Sequence, residues 1–475
     1  MAEKEDAMAT PNAAMEIPED GNTRISIREK LAYSLGDVAS NVVWSAAGTY
    51  LTFYYTNSVA ISAAAAGMIM LVSRIFDGIS DIIMGGIIDK TKTRFGKARP
   101  WLLWMAGPFA LASFLLFSVP RDWSDTGKII YAFLTYNLMS TVVYTAINLS
   151  YGVMNAMMTS NLKDRASLNI YRMVGALLMG IAANLIVIPL VRLFGDGNET
   201  NPRGWSLTFL ALGILATCLF LLCFFGTKER IYTEVKNKSD TSLIKSVPIL
   251  FKNKFWVICL CASLIYSMTA SMGAGAYFAQ YYLGNVEYTG TLSMAMVVPM
   301  FIGLPVSGLL LSKFGKRNTI LAGLLFGLLG YIIPLFNLYS FPLAMVGMLI
   351  RGVSMIPMVA CGFAMLADVI DYHEWKFGIR TEGIVYSASS FGTKVGTGLG
   401  AGILGWSLSF GKYDGTLATQ PSSAMRAIVF VFLILPLVGC VINIFLYSQY
   451  TLEKIYPKII SDLAERRKAG GTGND

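Results

Sequence analysis

A run of apolar residues from about 62 to 88 carries Arg74, Asp77 and Asp81 in its middle. About 20 apolar residues in a helix cross a bilayer, so these charges sit at membrane depth. Each costs about 3 kcal/mol there unless it is paired. Asp77 and Asp81 are four apart and share one helix face, and Arg74 lies on nearly the same face. Two carboxylates close together in a low dielectric cannot both stay ionised and unpaired. They need a proton, a bound cation or a positive partner, which points to cation-coupled transport across a membrane.

The composition agrees: 55% of 475 residues are hydrophobic and 14% are charged, against about 25% charged in a soluble domain. Twelve apolar stretches of membrane length follow one another. They lie near 32–56, 62–88, 100–119, 128–158, 165–193, 204–226, 255–283, 289–312, 318–337, 341–367, 382–410 and 424–450. The fourth and seventh exceed what a bilayer needs, which predicts tilt or kinks. The net charge of +9 gathers in short loops, which gives no reason to expect a nucleic-acid partner. The six cysteines fall within apolar runs, and the one histidine, His373, lies in a polar stretch expected to be a loop. No zinc, triad or other enzyme constellation emerges, and no cofactor is expected.

Lys90, Lys92, Arg94, Lys97 and Arg99 crowd the loop after the second span, and Lys313, Lys316 and Arg317 the loop after the eighth. The positive-inside rule places these loops and both termini in the cytoplasm. The chain then divides into a disordered tail (1–27), a six-helix bundle (28–226), a cytoplasmic linker (227–254), a second six-helix bundle (255–450) and a C-terminal tail (451–475). A glycine followed by a basic loop recurs after spans two and eight, as expected of duplicated halves with substrate held between them. In span eleven, Gly392, Gly396 and Gly400 recur every four residues, the pattern of close helix packing. Lys394 stands among them and needs a carboxylate, for which Asp77 or Asp81 is available.

Several motifs together resemble the glycoside–pentoside–hexuronide:cation symporters of the major facilitator superfamily. They are Tyr33-Ser34-Leu35-Gly36-Asp37, Arg74-Ile75-Phe76-Asp77-Gly78-Ile79-Ser80-Asp81, Thr93-Arg94-Phe95-Gly96-Lys97-Ala98-Arg99-Pro100-Trp101 and Ala367-Asp368-Val369-Ile370-Asp371-Tyr372-His373-Glu374-Trp375-Lys376. The resemblance implies an all-α major facilitator fold, twelve transmembrane helices in two six-helix bundles, in a plasma (bacterial inner) membrane. It implies Asp77 and Asp81 as cation ligands, Ser80 and Thr145 beside them, and Arg74 and Lys394 as the neighbouring positive charges. Substrate-contact positions carried over are Ser40, Asn41, Tyr144, Asn148, Gly152, Arg172, Thr393 and Lys394. Asn41 and Asn148 are amides where the melibiose permease has carboxylates, which brings the chain nearer the glucuronide and pentoside carriers.

An amide offers both a donor and an acceptor to sugar hydroxyls. With Arg172 and Lys394 near, an anionic uronate is not repelled. Trp44, three residues after Asn41 on the same face, suits a sugar ring or packs as an ordinary aromatic. Arg351, inside span ten, has no assigned role; a substrate carboxylate and a backbone carbonyl both remain open as its partner. The expected activity is import of a sugar with a cation by a monomer, H⁺ being favoured and Na⁺ the alternative, with Asp77 and Asp81 metal ligands only in the Na⁺ case. Ser80 favours H⁺, because its side chain is shorter than the Asn of Na⁺-using relatives. A lysophospholipid symporter, a membrane enzyme and a sensor are the rival readings.

Overall fold

The computed structural model describes residues 24–159, 161–230, 250–378, 382–417 and 419–471. Most of the expected N-terminal tail and of the 227–254 linker lies outside them. The described chain is helical throughout: α1 (Ile27–Phe53), α2 (Ala63–Lys90), α3 (Arg99–Leu116), α4 (Asp125–Met158), α5 (Leu162–Phe194), α6 (Pro202–Gly226), α7 (Lys254–Ala270), α8 (Tyr288–Phe314), α9 (Lys316–Ile332), α10 (Phe341–Phe377), α11 (Glu382–Phe410), α12 (Ser422–Ser448) and α13 (Leu452–Gly471). The first twelve match the twelve apolar stretches.

Among the described residues, seven helical spans are long and apolar enough to cross a membrane: α4, α5, α6, α10, α12, α7 continued to Tyr281 and α9 continued to Phe336. Of the other five long helices before α13, α1, α2 and α11 carry Asp37, Arg74, Asp77, Asp81 and Lys394 within their length.

Helix starts follow from local chemistry. Ser26, Ser62, Ser124 and Asn201 each accept a hydrogen bond from a backbone N–H of the turn they begin. Such caps satisfy donors that a helix leaves unpaired. The two over-long spans are indeed irregular. Helix α4 widens into a π turn at Leu138–Tyr144. After α7 the chain breaks and resumes as a short helix, Gly275–Tyr281. Gly273 in that break has φ +64°, a conformation that favours glycine.

In the first half, α1 packs against α5 and α6, α3 against α6, and α2 against α4. In the second, α10 packs against α8 and α9, α12 against α9, and α11 against α7. The halves meet along α2–α11 and α5–α8. The glycines of α11 make this possible. A Cβ at Gly396 or Gly400 would lie 2.5 or 2.2 Å from the carbonyl oxygens of Leu264 or Met268 on α7. On the opposite side, a Cβ at Gly405 would lie 2.3 Å from the carbonyl of Ala63 on α2. Without hydrophobic drive between helices in lipid, such backbone contact supplies much of the association.

At the end of the bundle where α1 and α13 begin, each half is tied within itself. Glu229, just after α6, accepts backbone N–H bonds from Lys97, Ala98 and Arg99 at 2.8, 2.9 and 2.6 Å. Glu453, just after α12, accepts from Lys316 and Arg317 at 2.6 and 3.2 Å. The two basic loops that recur in the sequence are thus held by equivalent carboxylates. Helix α10 runs past the expected limit of 367 to Phe377, so His373 is helical and buried rather than in a loop. The extension is held by Lys316–Asp368 (2.5 Å), Tyr456–Asp371 (2.8 Å) and Trp375–Asp462 (2.8 Å), the last two bonds reaching α13.

At the opposite face the halves are joined. Thr56 and Tyr277 lie 2.9 Å apart, Asn57 donates to Tyr281 at 3.0 Å, and Tyr413 donates to Asn57 at 2.7 Å. Burial pushes the Tyr413 phenol well above its ordinary value, so it stays protonated as a donor. Arg192 pairs with Glu287 across the same face.

Candidate functional site

Below that seal lies a cavity of about 400 Å³ between the halves. This suits a small ligand, since such sites run from about 300 to 1,000 Å³. Trp44, Gly48 and Thr49 of α1 and Arg74 of α2 line it from one half; Arg351 of α10 and Thr397 of α11 line it from the other. Trp44 stacks on Tyr144, with ring centroids 4.5 Å apart at 10°. The Arg74 guanidinium lies 5.8 Å from the Trp44 ring.

Arg74 also reaches Asp77 at 3.1 Å. The buried Asp77 carboxylate accepts from Ser140 at 2.9 Å on both oxygens and from Thr141 at 2.7 Å. The Thr141 hydroxyl also lies 3.1 Å from the Asn137 side-chain oxygen, and Asn137 donates to Ser73 at 2.9 Å. Asp81, one turn on, accepts from Thr145 at 3.4 Å and pairs with Lys394 across the α2–α11 boundary. The expected pairing of Lys394 with one of the two aspartates is therefore present, with Asp81. Ser80 faces elsewhere: its hydroxyl donates to the carbonyl of Thr141.

Asn137, Ser140 and Thr141 were missed in the sequence. Their spacing with Tyr144 resembles a polar helix stripe, but the π turn shifts the register that such a stripe assumes. Asp37 was also unassigned, although it closes the Tyr33–Asp37 motif. It takes Arg172 as its partner at 2.8 Å, so the Arg172 charge is already matched.

Of the expected substrate residues, Trp44 lines the cavity, and Tyr144 backs it. Asn41, three residues before Trp44, donates from its side chain to the Asp37 carbonyl at 2.9 Å. Ser40 is buried and donates to the Gly36 carbonyl at 3.2 Å. Asn148 is half-buried; Gly152 and Thr393 are exposed, and a Cβ at Gly152 would touch nothing within 4 Å. Asn41, Asn148, Gly152, Arg172, Thr393 and Lys394 all lie outside the cavity lining, as does Ser40. Helix α1 rises about 1.5 Å per residue, so Asn41 is only about 4.5 Å along the axis from the cavity wall at Trp44.

Residues 32–454 match the model of the family described as MFS/sugar transport protein. The isoprimeverose transporter of Lactiplantibacillus pentosus is 34% identical, over 92% of this chain and 91% of that protein. The putative glycoside/cation symporter YagG of Escherichia coli (strain K12) is 32% identical, over 94% of this chain and 97% of that protein. Among solved structures, a bacterial homolog of the human lysosomal transporter Spinster, inward-facing and occupied, superposes with a TM-score of 0.64 at 14% identity, covering 91% of this chain and 97% of that one. That likeness concerns the fold.

Proposed function

The chain belongs to the MFS/sugar transport protein family, and from that premise we propose how it couples a cation to the movement of a sugar. It is a multi-pass membrane transporter and not an enzyme. Its activity is symport of a sugar with a cation by alternating access. The observation that carries the coupling site is the pair of ionic contacts on one face of α2, Arg74–Asp77 and Lys394–Asp81. The second bridges the two halves.

A cation that reaches Asp77 and Asp81 competes with Arg74 and Lys394 for the same carboxylate oxygens. Once Asp81 is neutralised, it no longer holds Lys394. The α2–α11 boundary then loses an ion pair, and the halves are freer to rock about the cavity. Proton coupling fits this arrangement. A proton needs one carboxylate oxygen, whereas Na⁺ needs several oxygens at short range. Asp77 is already engaged by two hydroxyls and a guanidinium, and the Ser80 hydroxyl is committed to a backbone carbonyl.

The substrate is a glycoside, pentoside or hexuronide. It contacts Trp44 at the cavity and passes Asn41, Tyr144, Asn148, Arg172 and Thr393 on the side of the termini. The basic loops on that side support a cytoplasmic position for both termini in a plasma membrane, and an inward cation gradient across that membrane drives import.

The test uses the full chain in proteoliposomes. Asp77→Asn and Asp81→Asn are expected to abolish uphill accumulation while sugar exchange persists. Accumulation at the parental level in both variants would overturn the coupling site.

A further inference from the structure

Arg351 stands apart from the other cations at membrane depth. Arg74 holds Asp77, Lys394 holds Asp81 and Arg172 holds Asp37. Arg351 is 8% exposed, and among the described residues no carboxylate pairs with it. Its Nε has no hydrogen-bond partner, and its Nη1 finds only the Met348 sulfur, at 3.4 Å. A buried, unpaired guanidinium is costly and needs a reason.

Its surroundings hold it in place without neutralising it. The guanidinium lies over the Tyr331 ring at 4.4 Å and the Phe432 ring at 5.3 Å. Gly330 on α9 leaves room for its stem, since a Cβ there would lie 2.7 Å from the Arg351 Cγ. Arg351, Tyr331 and Phe432 all line the central cavity, which Trp44 and Arg74 border from the other half. The cavity thus carries one surplus positive charge, from a planar group whose N–H fork fits a two-oxygen anion.

We propose that Arg351 receives an acidic group on the transported sugar, so that the physiological substrate carries a carboxylate or sulfonate at the end that enters the second half. This rests on the sugar-symport reading above and names its substrate class. The sequence suggested Arg172 and Lys394 as the charges that would tolerate a uronate. Both are matched by carboxylates of the protein, and Arg351 takes over that role. Because the pairing is completed only by the ligand, a neutral sugar of the same shape leaves the guanidinium buried and unpaired.

The test compares three matched pairs as ligands of the purified full chain: glucuronate with glucose, galacturonate with galactose, and methyl β-glucuronide with methyl β-glucoside. Binding is read by tryptophan fluorescence and by the shift in melting temperature. The parental chain should prefer the acidic member of at least one pair by tenfold or more. Arg351→Gln should collapse that ratio towards one, and Arg351→Lys should restore part of it. Without ligand, Arg351→Gln should melt no lower than the parent, since an unpaired buried charge has been removed. Three results would overturn the proposal: a neutral preference in the parent, an unchanged ratio in Arg351→Gln, or a marked fall in its ligand-free melting temperature. If the parent binds neither member of any pair, the acidic-sugar proposal fails, while the sugar-symport reading is judged separately by uphill accumulation in proteoliposomes.

Discussion

Tyr413→Phe tests the seal opposite the termini. The phenol donates to Asn57 at 2.7 Å and lies 2.9 Å from the Tyr281 hydroxyl. The Asn57 bond joins the two halves, whereas the Tyr281 contact lies within the second. A net hydrogen bond of this kind is worth about 1 kcal/mol, so the substitution should weaken the closed arrangement by about 1 kcal/mol. At about 1.4 kcal/mol per tenfold, the population open at that face rises by about fivefold. Gly48→Cys provides the reporter in a background without native cysteines. Gly48 lines the cavity, and a Cβ there meets nothing within 4 Å. A membrane-impermeant maleimide added from the side away from the termini should label the introduced thiol about fivefold faster in Tyr413→Phe. Asn57→Leu should do the same, while Tyr339→Phe, at an exposed loop position, should not. Labelling rates within twofold of the parent in both seal variants would refute the assignment of these bonds as the closure.

Sugar uptake should follow an imposed pH gradient in vesicles free of Na⁺, and Ser80→Asn should increase any response to Na⁺; a tenfold gain in substrate affinity on adding Na⁺ to the parent at fixed pH, about 1.4 kcal/mol of coupling, would exclude the proton reading. Glu229→Ala should destabilise the chain by about 3 kcal/mol or more, because three backbone N–H groups lose their acceptor at the start of α3. The midpoint in a detergent melting experiment measures this, and a change near zero would mean that water replaces the carboxylate there.

Much of the architecture was legible in the sequence for a plain reason. A bilayer demands long apolar helices, so twelve of them announce themselves, and any charge inside one stands out. Helical periodicity placed Asp77 and Asp81 on one face, and the isolation of Lys394 required a carboxylate. The four-residue glycine repeat of α11 foretold close helix packing, which the structure makes with α7. Periodicity names a face, however, and not the neighbour that face will meet. Lys394 took Asp81, while Arg74 took Asp77. Arg172, expected to serve the substrate, is matched by Asp37, 135 positions away in the chain. The hydroxyls of Ser140 and Thr141 reached Asp77 through a π turn that spacing rules do not anticipate. Arg351 was left open as a sequence feature, because an absence of partners is visible only when every neighbour is in place. The sequence by itself determined which groups must be paired or explained at membrane depth; the tertiary structure decided the pairs, since those contacts form between helices far apart along the chain.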